Sequence, residues 1–211
     1  MNKSIFDLEC RDCPRLAGFL DEVQERYPGY HCRPVPPFGD EVARFLIVGL
    51  APGMHGANAT GRPFTGDHAG ILLYQMLHRF GFATHPESVA ADDNLELTNC
   101  RITNAVKCLP PDNKPVGAEI NTCNHYLANE LGALPKDSVV LALGGIAHRA
   151  VVKALGYRQA EFKFGHESVY DLGDVLLLDS YHCSRYNTNT RRLTPEMFAS
   201  VFSKAKALLE K

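Results

Sequence analysis

The chain has 211 residues, 45% of them hydrophobic, enough for one well-buried domain. Its formal net charge of −2 gives no bulk signal for nucleic acid, yet residues 180–195 hold Arg185, Arg191 and Arg192 and no acid, so a local basic face stays open. No segment has membrane-spanning length, the polar start lacks a signal-peptide core, and seven cysteines make an odd count, so the expectation is a cytoplasmic protein with reduced thiols and a metal site rather than disulfides.

The N-terminal segment opens with Cys10-Arg-Asp-Cys13-Pro14, and Leu16, Phe19, Leu20, Val23 and Tyr27 follow at helical spacing up to Pro28-Gly29. Residues 31–39 form a proline-rich connector. A first strand is predicted over about 44–49, where Phe45-Leu-Ile-Val48 is a short apolar run of buried-strand character. It breaks into a long loop with glycines at 49, 53, 56, 61 and 66, carrying His55, Asn58, Thr60, Arg62, Thr65 and Asp67. A helix over about 69–81 comes next. Glycines at this density let backbone approach a ligand closely, although the spacing fits neither a phosphate loop nor GxGxxG.

Residues 82–96 read as an irregular acidic surface excursion, and 99–106 as a second strand running into Lys107-Cys108-Leu-Pro-Pro-Asp-Asn-Lys-Pro115. A helix over about 117–131, a third strand over 138–144 and a helix over 145–155 are predicted in turn. Weak alternation over 158–171 predicts a small hairpin, 174–180 a fourth strand, and 181–192 a polar loop. Thr194-Pro195 supplies the cap and first position of a last helix to about Leu209. Alternating strands and helices with continuously apolar strands point to a single α/β domain over 1–211, a parallel sheet covered on both faces, with the cysteine-bearing helical segment 1–40 packed on it. Each strand ends in polar sequence, and parallel strands place those ends on one edge, which makes that edge the candidate site.

Two cysteine pairs stand out, Cys10 with Cys13 and Cys108 with Cys123, each beside a turn or helix end. Four thiolates of this kind bind zinc or an iron–sulfur cluster, while buried free cysteines are the plain alternative for 108 and 123. Cys100 reads as core, Cys32 and Cys183 as simple thiols.

Gly49-Leu-Ala-Pro-Gly-Met-His-Gly-Ala-Asn-Ala-Thr-Gly-Arg-Pro-Phe-Thr-Gly-Asp67 resembles the first motif of the family 5 (type b) uracil-DNA glycosylases. Thr103-Asn-Ala-Val-Lys-Cys108 and His182-Cys-Ser-Arg-Tyr-Asn-Thr-Asn-Thr-Arg-Arg-Leu-Thr194 resemble its later motifs, so the likeness runs from Cys10 to Thr194. It implies a three-layer α/β/α sandwich around a four-stranded parallel sheet and a 4Fe–4S cluster on Cys10, Cys13, Cys108 and Cys123. It also implies base excision repair of DNA, with uracil and other deaminated bases such as hypoxanthine and xanthine flipped out and hydrolysed off to leave an abasic site.

On that reading Phe64 stacks on the base from a rim position, and the Asn104 amide reads the O4/N3 edge of uracil. His182 donates to O2 as charge develops there, and Asp67 stabilises the sugar cation and orients water. The plainer roles are a core phenylalanine, a strand-end amide and a helix N-cap for Asp67. Gly53 stands where the family commonly has alanine and would loosen the pocket floor. Tyr186 or Arg185 is the candidate wedge, and Arg185, Arg191 and Arg192 the candidate phosphate contacts. The expected enzyme is monomeric and monofunctional, with a structural cluster. The rival is a non-catalytic iron–sulfur or zinc protein that binds nucleic acid or nucleotide; a flavodoxin-like enzyme would need a phosphate loop that is missing.

Overall fold

The computed structural model describes residues 6–211, so the first five residues of the 1–40 segment lie outside the described residues. Four strands, β2 (Phe45–Gly49), β3 (Cys100–Asn104), β4 (Ser138–Leu143) and β6 (Val175–Ser180), run parallel in the spatial order β3-β2-β4-β6. The sheet is wider than the expected four strands. A two-residue β1 (Phe38–Gly39) and a three-residue β5 (Val169–Asp171) add antiparallel to its two edges. Both edge strands are too short to announce themselves by alternation. The expected 158–171 hairpin is therefore a different one, because β5 pairs across a tight turn with β6.

Alternate side chains of each parallel strand enter opposite cores, as a period of two requires when both faces are covered. Phe45, Ile47, Ile102, Leu141 and Leu178 pack under α3 (His68–Arg79) and α7 (Pro195–Leu209). Leu46, Val48, Val140, Ala142 and Leu177 pack under α4 (Gly117–Gly132) and α5 (Gly145–Ala154). The result is the three-layer α/β/α arrangement. The first helix, α1 (Pro14–Arg26), sits apart on a small cluster formed by Leu20, Val23, Cys32 and Leu109. Thr194 caps α7 as its sequence predicts, accepting from the Met197 N–H at 3.2 Å. Among the described residues no helix is long and apolar enough to cross a membrane.

Two further short helices lie inside segments that read as loops: α2 (Ala57–Thr60) in the glycine-rich stretch and α6 (Arg185–Asn189) after β6. At the β5 edge, His148 of α5 pairs through Nδ1 with Asp179 at 2.8 Å and through Nε2 with the Phe162 carbonyl at 3.0 Å. Burial alone would lower its pKa, but two acceptors on one ring outweigh burial and raise it. This pair pins the 158–168 connection to the sheet.

The 82–96 excursion is irregular, as expected, but not simply a surface feature. Its Asp93 meets Arg62 at 2.6 Å, Ser88 bonds Thr65 at 2.7 Å, and the Ala90 carbonyl accepts from Arg62. The excursion is thus strapped onto the glycine-rich loop. Burial pushes the Asp93 carboxyl up, but Arg62 and the N–H groups of Val89, Leu95 and Ala90 outweigh burial and hold it at about 2. A folded-state pKa below the unfolded ~3.9 contributes stability that is present above that value and lost as pH falls toward 2. Denaturant unfolding at stepped pH should therefore show wild-type stability dropping between about pH 4 and 2. Asp93→Asn should flatten that window and be less stable at neutral pH by about 3 kcal/mol, since it leaves Arg62 buried without its anion. An unchanged acid limb would rule the strap out.

Candidate active site

The chain runs from β2 outward to β3, returns past β2 to β4, and continues to β6, so the sheet reverses direction at β2/β4. Ligands of open α/β sheets bind outside the carboxyl ends of the strands at such a reversal. A cavity of about 480 Å3 lies there, within the range of small-molecule sites. Its walls come from all four parallel strand ends: Leu50 and Gly53 after β2, Asn104 ending β3, Gly144 after β4 and His182 after β6. The convergence expected from the sequence holds.

Glycine determines how closely these walls approach. Gly49 lies opposite Asn104 in the parallel register, and a Cβ there would sit 2.3 Å from Asn104 Oδ1 and 2.6 Å from the Phe64 ring. At Gly70 a Cβ would lie 1.8 Å from the Phe64 carbonyl oxygen. Phe64 itself holds φ +55, a left-handed conformation that strains a bulky residue. It is 6% exposed and belongs to the core while lining the cavity, so the expected rim position is corrected. The flanking Arg62 and Thr65 are buried too, because Arg62 turns inward to Asp93 and lies over the Phe38 ring at 4.7 Å. The Phe64 ring stacks toward the His182 ring, with centroids 6.0 Å apart and an interplanar angle of 28°.

Asp67 is half-buried and caps α3: its Oδ1 accepts from the Gly70 N–H at 2.8 Å. Its Oδ2 faces Gly53, 3.6 Å from where a Cβ would stand, and the residue lines the cavity. The cap and a role in the cavity therefore use different oxygens of one carboxylate. Burial raises its pKa, against hydrogen bonds from the Gly70 and Ala69 N–H groups and the nearby His68. His182 has its pKa lowered to about 4 by burial, so it is a neutral imidazole at physiological pH. Asn104 is 3% exposed, and its buried Oδ1 finds no hydrogen-bond partner among the described residues. An unsatisfied buried acceptor is costly, and this one belongs to a residue that lines the cavity, where a ligand could supply the donor.

Arg185 lines the cavity from the first position of α6, and Tyr186 beside it is 71% exposed. The other two arginines are not gathered with them. Arg192 is exposed with its guanidinium 4.7 Å over the Tyr181 ring, and Arg191 faces an adjoining surface groove with His68, Thr188 and Glu196. Among the lining residues that the sequence reading did not single out are Ile146 at the start of α5 and Asn113 on the loop after Cys108. Asp112 and Asn113 both adopt left-handed backbone after two prolines, and that Pro-Pro-Asp-Asn run was the available signal.

Cys10, Cys13, Cys108 and Cys123 line one cleft between α1, the segment after β3, and α4. Among the described residues no three His, Cys, Asp or Glu side chains stand close enough to hold a single metal ion. Four thiols lining one cleft are the donor set that holds either zinc or an iron–sulfur cluster. Cys32, Cys100 and Cys183 are buried elsewhere.

A family model described as the uracil DNA glycosylase superfamily matches residues 36–206. The type-5 uracil-DNA glycosylase of Thermus thermophilus is 49% identical over 205 residues, covering 94% of this chain and 93% of that protein. That of Pyrobaculum aerophilum is 44% identical over 204 residues, covering 95% and 89%. A crystal structure of Pedobacter heparinus SMUG2 shares the fold at TM-score 0.52 and 16% identity, over 81% of this chain and 77% of that one.

The contrast between two helical glycines tests the packing of this site. Gly70→Ala should lower stability by about 2–3 kcal/mol in denaturant unfolding, because the new Cβ meets fixed backbone. Gly18→Ala, within α1 and with nothing within 4 Å of the added carbon, should instead raise it by about 0.5–1 kcal/mol. Equal effects at the two positions would refute the close approach.

Proposed function

Because the chain belongs to the uracil DNA glycosylase superfamily, alongside its type-5 members, we propose that it excises uracil from DNA by hydrolysing the N-glycosidic bond. Hypoxanthine and xanthine are further proposed substrates, and an abasic site the product. The observation that carries this reading is the unpartnered Asn104 Oδ1, set beside the Phe64 ring in a cavity of nucleobase size. Uracil presents an N3–H donor next to an O4 acceptor, and one carboxamide complements both. The base must first leave the duplex stack, at a cost of a few kcal/mol, and Phe64 returns part of that by stacking. The exposure of Tyr186 and the cavity position of Arg185 on α6 support the reading that they fill the vacated stack and hold a phosphate.

Bond cleavage builds negative charge on the base and positive charge on the sugar. A neutral His182 N–H donated to O2 stabilises the first, and a single preorganised donor of this kind is worth about 3 kcal/mol. The Asp67 Oδ2, left free by the helix cap, stabilises the second and orients the attacking water. Dividing the carboxylate this way fixes its direction, since the cap holds Oδ1 against α3. Gly53, which faces Oδ2, leaves room there for water or sugar. We also propose that Cys10, Cys13, Cys108 and Cys123 hold a 4Fe–4S cluster that cross-links α1 to the body of a monomeric enzyme. The cluster, when bound, supplies this cross-link and no step of the hydrolysis.

The test is base release from a duplex oligonucleotide containing one uracil. Wild type should release uracil; Asp67→Asn and Asn104→Ala should each lose about 100-fold or more, and His182→Ala a similar factor, all with thermal stability retained. No release of uracil or hypoxanthine by wild type would leave a nucleic-acid-binding protein instead.

The pH profile is a separate check. Burial raises the Asp67 pKa above the ordinary carboxylate value, and the charged form is the active one. The rate should therefore fall as pH drops through a point above the ordinary aspartate value, and this limb should vanish in Asp67→Asn. A limb that survives the substitution would assign it to another group.

A further inference from the structure

Lys107 stands in the sequence between Asn104 and Cys108, in a run that is otherwise apolar, Ala105-Val106. The structure buries it to 1% exposure. Its Nζ donates to Glu130 Oε1 at 2.5 Å and to Thr103 Oγ1 at 2.5 Å. Its backbone N–H donates to Cys123 Sγ at 3.3 Å, and its carbonyl accepts from the Val35 N–H at 2.7 Å. The residue also lines the four-cysteine cleft. Cys123 and Glu130 are seven residues apart on α4, two turns along one face, so Lys107 spans that face with its backbone at one end and its ammonium at the other. Thr103, its third partner, immediately precedes Asn104 on β3.

Stability does not explain this arrangement. A buried ion pair rarely outperforms apolar residues of the same volume, because desolvating both charges offsets their attraction. Here the offset is larger, since Glu130 Oε2 is buried with no partner among the described residues. A cluster held by four thiolates carries net negative charge, and hydrogen bonds to its sulfurs together with local charge are what tune it.

We propose that Lys107 is a positioning residue that joins the cluster site to the base-reading end of β3. Its N–H bonds a ligand sulfur at one end, while its ammonium, two turns along α4, is paired with Glu130. The same ammonium clamps Thr103, and with it Asn104, to α4. This proposal rests on the 4Fe–4S reading above. It implies that cluster lability and base recognition change together when Lys107 is altered.

The experiment compares wild type with Lys107→Met and with the double variant Lys107→Met/Glu130→Leu, all purified without oxygen. The single variant leaves Glu130 buried and unpaired and is expected to fold poorly; the double variant removes both charges at nearly constant volume and is expected to fold as well as wild type. Iron and acid-labile sulfide per chain, the bleaching of absorbance near roughly 400 nm under a chelator with ferricyanide, and KM and kcat on the uracil duplex are then measured. In the double variant, cluster bleaching should be about tenfold faster and KM raised about tenfold, at wild-type thermal stability. Wild-type bleaching and wild-type KM in a well-folded double variant would overturn the proposal and leave Lys107 as core filling. Wild-type protein free of iron and sulfide would overturn the cluster reading itself, a result separate from any behaviour of the variants.

Discussion

The contact on which the rest of this molecule depends is the approach of the glycine-rich loop to its own sheet and helix. Phe64 can reach the strand edge only because Gly49 and Gly70 have no side chains, and a Cβ at either would overlap its ring or its carbonyl. That approach places the Phe64 ring beside Asn104 and His182, and it delivers Asp67 to the start of α3. The strained backbone of Phe64 is held by what surrounds it: the Tyr74 hydroxyl donates to the Pro63 carbonyl at 2.9 Å, and the 82–96 excursion grips Arg62 and Thr65. Strain of this kind persists where neighbouring contacts over-determine it, and such places cluster at functional sites.

The electrostatics of the cavity follow from burial acting on two groups in opposite senses. Burial raises an acid and lowers a base, so Asp67 moves up and His182 moves down. The consequence for His182, held at about 4, is an imidazole that is neutral at physiological pH. In the proposed hydrolysis, a neutral histidine donates one hydrogen bond without bringing a cation to a site where positive charge must develop on the sugar. A charged His182 would neutralise the effect of Asp67 on the same transition state. The helix cap does not compete with this role, because the carboxylate has two oxygens and the cap takes one.

Elsewhere, buried charges serve as ties between segments of irregular backbone and the layered core. Arg62 with Asp93 secures the excursion, His148 with Asp179 secures the last connection, and Lys107 with Glu130 secures the cysteine-bearing segment. Each joins residues between 23 and 31 positions apart in sequence. Apolar contacts would bury such segments without choosing one register. A directional pair with a fixed partner does choose, at the expense of desolvation.

The sequence by itself determined the layers and the edge on which the site lies. Continuous apolar strands, helical spacing between them and a Thr-Pro helix start are local signals, and local sterics and burial act on them without reference to distant residues. The shared cavity of Asp67, Asn104 and His182 and the shared cleft of the four cysteines were also legible, the first three because each stands at a strand end or loop where a polar side chain has no packing reason to be. The tertiary structure decided the rest. Phe64 reads as a rim residue from its neighbours Arg62 and Thr65, yet it is buried, because the partners that turn Arg62 inward lie some thirty residues away. Edge strands of two and three residues have no period to detect, and they form only because β3 and β6 present unpaired edges. Asn113 reaches the cavity on a left-handed turn after Pro110-Pro111, and only the closed fold brings that turn to the strand ends. Lys107 reads only as polar strand-end sequence, and the return of α4 to β3 supplies the carboxylate that allows it to be buried. Periodicity reports what each segment buries; which distant charge meets which is settled only when the layers close.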